Sequence, residues 1–124
     1  MNKLQLQQFI NEHWGINIKT LHFVRNHDQQ IAEVTDEFGH TYLIKGEQQQ
    51  AHEVEAICQF ANTMQQILPT ATYLKTKGSM YSTTYNHLVY TLETKLDGDE
   101  LETLHDAVLK EIATQLAQAH QFSL

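Results

Sequence analysis

Residues 31–68, IAEVTDEFGHTYLIKGEQQQAHEVEAICQFANTMQQIL, decide the reading of this chain. Ile31, Ala32 and Val34 mark a strand. Asp36-Glu37-Phe38-Gly39 reads as a hairpin turn, with Gly39 free to take the positive φ that such turns demand. Thr41–Lys45 is a second apolar strand that ends on a lysine, and Gly46 is expected to break it. Val54, Ile57, Cys58, Ala61, Met64 and Leu68 then recur at helical spacing, which predicts an amphipathic helix over Gln50–Gln66, stopped by Pro69.

Outward from this stretch the pattern stays α+β. Leu4, Leu6, Phe9, Ile10 and Trp14 predict a short helix over residues 3–13, closed at Gly15. Ile18, Leu21, Phe23 and Val24 predict a strand over residues 18–25, and Asn26–Gln30 a polar connector. Three further strand candidates follow, Thr72–Lys77, Met80–Tyr85 and His87–Lys95, with a turn at Lys77-Gly78-Ser79. Asp99 and Glu102 form a capping box for a last helix, whose apolar face includes Leu109, Ile112 and Leu116. The expected architecture is a meandering antiparallel sheet of about five strands, one long helix packed on it, a short leading helix and a trailing helix.

Composition bounds the function. At 124 residues the chain is one domain with room for a core. A formal charge of −7 opposes nucleic acid and acidic membranes. The single cysteine, Cys58, fits a reducing cytoplasm, and no leader or membrane span is visible. Eight histidines are scattered without the spacing of a metal site, and no serine sits in a nucleophile elbow. No metal ligands and no catalytic residues are assigned.

Three stretches carry a family resemblance: VTDEFGHTYLIK, YTLETKLDGDEL and ATQLAQAHQFSL, the last containing Leu116-Ala117-Gln118-Ala119-His120. In this order they resemble the amino-terminal lobe of the aminoglycoside phosphotransferase and choline kinase superfamily, a kinase-like N-lobe that binds ATP. The resemblance implies that Lys45 contacts the α and β phosphates, where an ammonium stabilises the bound charge. It implies a helix carboxylate to aim that lysine, with Glu53 the first choice and Glu55 the second. The phosphate loop falls at Asn26–Gln30, including Asn26 and Asp28, although no glycine lies there. The resemblance also implies that adenine docks near Glu93, Thr94 and Lys95, under Ile31 or Val34. Residues 1–95 are then the N-lobe, and 96–124 the hinge exit and first helix of a second lobe.

The catalytic HxDxxxxN run of such kinases has no counterpart here. The expectation is a nucleotide-binding lobe that is inactive alone, a fragment or a shortened relative, with magnesium and acceptor handled by the other lobe. The exposed apolar face of the last helix predicts a homodimer or an adhesive surface. Two other readings stay open. One is a non-catalytic interaction module of the same fold, with Lys45 a solvated strand-end lysine. The other is an unrelated α+β domain.

Overall fold

Among the residues it describes, a computed structural model shows helices Lys3–Trp14 and Ala51–Met64 and a five-stranded antiparallel sheet. The structure describes residues 1–65, 72–95, 110, 111 and 114. Pro69, the capping box at Asp99 and Glu102, the Leu116–His120 motif and the apolar face of the last helix lie outside the described residues.

Helix α1 (Lys3–Trp14) starts at a capping box between Asn2 and Gln5 and ends at Gly15 in the left-handed conformation, φ 69°. Strands β1 (Ile18–Asn26), β2 (Gln30–Asp36) and β3 (Thr41–Glu47) follow as consecutive antiparallel hairpins. The β2–β3 turn closes as expected, with Gly39 at φ 84°. The Asp36 carboxylate anchors it by accepting the N–H groups of Phe38 and His40, each at 2.9 Å. Helix α2 (Ala51–Met64) crosses back over the sheet to β4 (Ser82–Tyr85) and β5 (Leu88–Thr94).

Three expectations are corrected. Gly46 does not end β3, because the strand runs on to Glu47. The bare Gly46 α-carbon lies under the Tyr90 ring of the neighbouring strand, and only glycine leaves that space. Residues 72–77 are not a strand and contribute a single bridge, Tyr73 to Glu93. Nor is the sheet a meander throughout, since its order is β1-β2-β3-β5-β4. The inversion of the last hairpin follows from burial. β5 (LVYTLET) is buried along almost all of its length and suits a central position, whereas β4 (STTY) is partly exposed and suits an edge.

Strand alternation gives the sheet two faces. Ala32, Val34, Ile44, Tyr90 and Leu92 point to one face and pack with Leu6, Phe9, Ile10 and Trp14 of α1. On the other, Val89 packs with Val54, Cys58 and Ala61 of α2 and with Tyr73. Two polar clamps hold α2 in place. The Asn62 amide donates to the Tyr73 carbonyl and accepts the Tyr73 N–H, at 2.9 and 2.8 Å. Glu55 accepts the Tyr81 N–H at 2.8 Å and the Ser82 hydroxyl at 2.5 Å.

Candidate functional site

Lys45 sits on the face that carries α2. The register places Ile31, Lys45 and Thr91 in one row across the sheet, and Glu33, Leu43 and Glu93 in the next. Side chains in diagonal positions of adjacent rows are within reach when both are long. The Lys45 ammonium uses this geometry and meets the Glu93 carboxylate at 2.5 Å. Glu93 is wholly buried, while the Lys45 side chain keeps 20% of its surface exposed. The carboxylate is therefore the fixed, inner member of the pair, and the amine the outer one.

A second pair flanks the first. Lys95 Nζ lies 2.9 Å from Glu33 Oε2. Leu43, half-buried, lies between Glu33 and Glu93 in the same row, and Ile31 lies directly across from Lys45. This face thus offers two apolar side chains bordered by two ion pairs. Beside Lys45, toward α2, is a cavity of about 30 Å³, space for about one water molecule. The α2 side chains lining it are Val54, Ile57 and Cys58. Burial raises the Cys58 thiol above its ordinary pKa, with the Glu55 and Glu93 carboxylates acting in the same direction, so it stays protonated and unreactive.

The residues singled out from sequence are only partly brought together. Lys45, Ile31, Glu93 and Lys95 share one face of the sheet. Val34 does not join them, because it is one pleat away from Ile31 and Glu33 and is fully buried in the α1 core. Thr94 also points to the α1 side, opposite Tyr42, and its hydroxyl accepts the Thr72 N–H at 3.0 Å. The amides of Thr94 and Lys95 donate to Thr72 and Thr41, at 2.9 and 3.3 Å.

Glu53 is exposed in the first turn of α2, and the carboxylate beside Lys45 is that of Glu93. Glu55 is engaged by Tyr81 and Ser82. The helix turns an apolar stripe toward the lysine, so the neighbouring strand supplies the partner. Asn26 and Asp28 lie in the β1–β2 hairpin beyond Lys45, at the end of the face away from Glu93, and both are exposed. The Asn26 amide oxygen accepts from Gln30 Nε2 at 2.8 Å.

Sequence reasoning missed Leu43 and Thr91. The available signal was two-residue spacing, since Leu43 precedes Lys45 by two and Thr91 precedes Glu93 by two. Among the described residues, no three His, Cys, Asp or Glu side chains converge as a metal ion requires. No described helix is long and apolar enough to cross a membrane.

No family model and no curated protein matches the chain. Solved structures do. A spectinomycin phosphotransferase in complex with ADP and spectinomycin superposes with a TM-score of 0.65 at 16% identity, over 78% of this chain and 30% of that one. Amicoumacin kinase in complex with AMP-PNP and Ca²⁺ superposes with a TM-score of 0.66 at 11% identity, over 79% and 32%. An aminoglycoside phosphotransferase from Alicyclobacillus acidocaldarius gives 0.52 at 17% identity, over 65% and 24%. The chain spans about 30% of the length of the first two structures. The fold is that of a kinase-like N-lobe.

Proposed function

We propose that this chain is the nucleotide-binding lobe of a small-molecule phosphotransferase of the aminoglycoside phosphotransferase type. One observation carries the reading. A lysine is held on the α2 face of the sheet with a buried carboxylate against it and part of its surface open. It lies between the β1–β2 hairpin at one end and the Glu93–Lys95 segment at the other. Two of the matching structures were solved with ADP or AMP-PNP bound.

The residues present fit a nucleotide at the amine and at the apolar pair. Lys45 would meet the phosphates, and Ile31 and Leu43 would lie against the base. The β1–β2 hairpin fits less well. It has no glycine, and Asp28 adds a negative charge that phosphates do not favour. The binding is therefore weak. Phosphoryl transfer also requires an aspartate to receive the acceptor proton and a further carboxylate for magnesium. The proposed lobe, residues 1–95, supplies neither, so acceptor choice and Mg²⁺ belong to the second lobe of the complete enzyme.

The test is an ATP titration of the chain with Mg²⁺. The expected dissociation constant is on the order of 1 mM, or about −4 kcal/mol. Lys45→Ala alone is a poor control, because it leaves Glu93 buried without its counter-charge. Lys45→Met combined with Glu93→Gln removes both charges and keeps the volumes. Binding at least tenfold weaker in this double variant supports the proposal. Absence of any difference from the unaltered chain overturns it in favour of a non-catalytic interaction module, which sedimentation would reveal as a stable dimer.

A further inference from the structure

We infer that the carboxylate aiming Lys45 is supplied by the sheet rather than by the helix, and that Glu93 is the positioning residue of the site. The inference rests on the nucleotide-lobe reading above and adds a regulatory consequence to it.

Three observations converge. The Glu93 carboxylate is fully buried and lies 2.5 Å from the Lys45 ammonium, which retains partial exposure. A buried carboxylate cannot follow a departing lysine into solvent, so the amine must keep this contact to leave no uncompensated charge inside. Second, the α2 side chains lining the small cavity beside Lys45 are Val54, Ile57 and Cys58, and none of these carries a charge that would compete for the ammonium. Third, both acidic candidates on α2 are placed elsewhere. Glu53 is exposed, and Glu55 is bonded to Tyr81 and Ser82.

In protein kinases the equivalent lysine is paired from a helix, so movement of that helix switches the site. Here both members of the pair stand on adjacent strands, locked by six register pairs from Tyr42–Thr94 to Glu47–Val89. The lysine is set by the sheet ladder and stays set wherever α2 moves. The lobe is built as a constitutive site, without a helix-controlled switch.

The experiment titrates AMP-PNP and Mg²⁺ against the 124-residue chain and its E93Q, E53Q and E55Q variants. The NMR resonance of the Lys45 ε-methylene is followed with and without nucleotide. E93Q is expected to shift that resonance before any nucleotide is added and to weaken binding at least tenfold. E53Q and E55Q are expected to leave the resonance in place and affinity within twofold. The inference is overturned if E93Q binds as tightly as the unaltered chain or tighter, which would make Glu93 a competitor of the phosphates. It is equally overturned if E53Q or E55Q moves the lysine resonance or loses tenfold in affinity, a result that decides the matter even if E93Q does not fold. If the unaltered chain binds no nucleotide, the nucleotide-lobe reading fails, and the ligand-free resonance still decides whether Glu93 holds the lysine.

Discussion

Gly46 lies mid-strand beside Tyr90, and a β-carbon at that position would collide with three atoms of the tyrosine ring. The ring has little room to retreat. Its hydroxyl donates to the buried Gln30 side chain, whose amide in turn donates to the Met1 carbonyl at 2.7 Å and to Asn26 at 2.8 Å. Gly46→Ala is therefore expected to destabilise the fold by about 1–3 kcal/mol, the usual range for overpacking a tight core, measured by urea unfolding. A change within about 0.5 kcal/mol would show that the ring moves freely. Asp36 makes a second prediction at this scale. Burial raises its pKa, but the N–H groups of His40 and Phe38 and the Tyr42 hydroxyl outweigh that effect and hold it below the ordinary carboxylate value. The native state thus takes up this proton less readily than the unfolded chain. The stabilisation is complete above the unfolded value of about 3.9 and disappears as pH falls through the lower folded value. Asp36→Asn should flatten the acid limb of the stability profile in that window and leave its slope near neutrality unchanged.

The elements show which local rules the chain keeps and which it strains. The β4–β5 hairpin turns on Asn86 and His87, at φ 50° and 70°. Two consecutive left-handed residues make the tight turn whose twist matches antiparallel strands. Asparagine suits the first position, but histidine at the second bears the steric penalty of its β-carbon. His87→Gly is expected to stabilise the protein by about 1 kcal/mol, seen as a higher unfolding midpoint with an unchanged denaturant slope. A loss of stability would mean that the imidazole contributes more than the turn geometry costs. The long helix illustrates a different point. Its apolar stripe was readable from spacing, and Val54, Cys58 and Ala61 are the buried residues found on it. The role of its carboxylates was not readable, because whether a flanking glutamate faces a lysine, a strand edge or water depends on the rotation of the helix over the sheet.

At the scale of the molecule, the sheet separates two clusters. Leu6, Ile10, Val34 and Leu92 belong to the α1 side, and Val54, Cys58, Tyr73 and Val89 to the α2 side. Among the described residues no buried side chain belongs to both clusters, so lesions in them should act independently. Ile10→Ala should destabilise by about 2–5 kcal/mol and Val54→Ala by somewhat less. The double variant should equal the sum within about 0.5 kcal/mol. A larger discrepancy in chemical unfolding would show that strain passes through the sheet. The partition also bears on the proposed site, since Lys45 and Glu93 lie on the α2 side and should tolerate changes in α1 without loss of their pairing.

The chain by itself determined the α+β class, most of the elements, the Gly15 and Gly39 stops and the lysine on which the functional reading turns. These follow from periodicity and backbone freedom within a few residues, so they can be read locally. The tertiary structure alone decided the order of the last hairpin, the continuation of β3 through Gly46, the removal of Val34 to the opposite face and the identity of the carboxylate beside Lys45. Residues 45 and 93 are far apart in sequence, and only the insertion of β5 next to β3 makes them neighbours. Strand order is set by the burial of whole segments against one another, a sum that no short stretch of sequence contains.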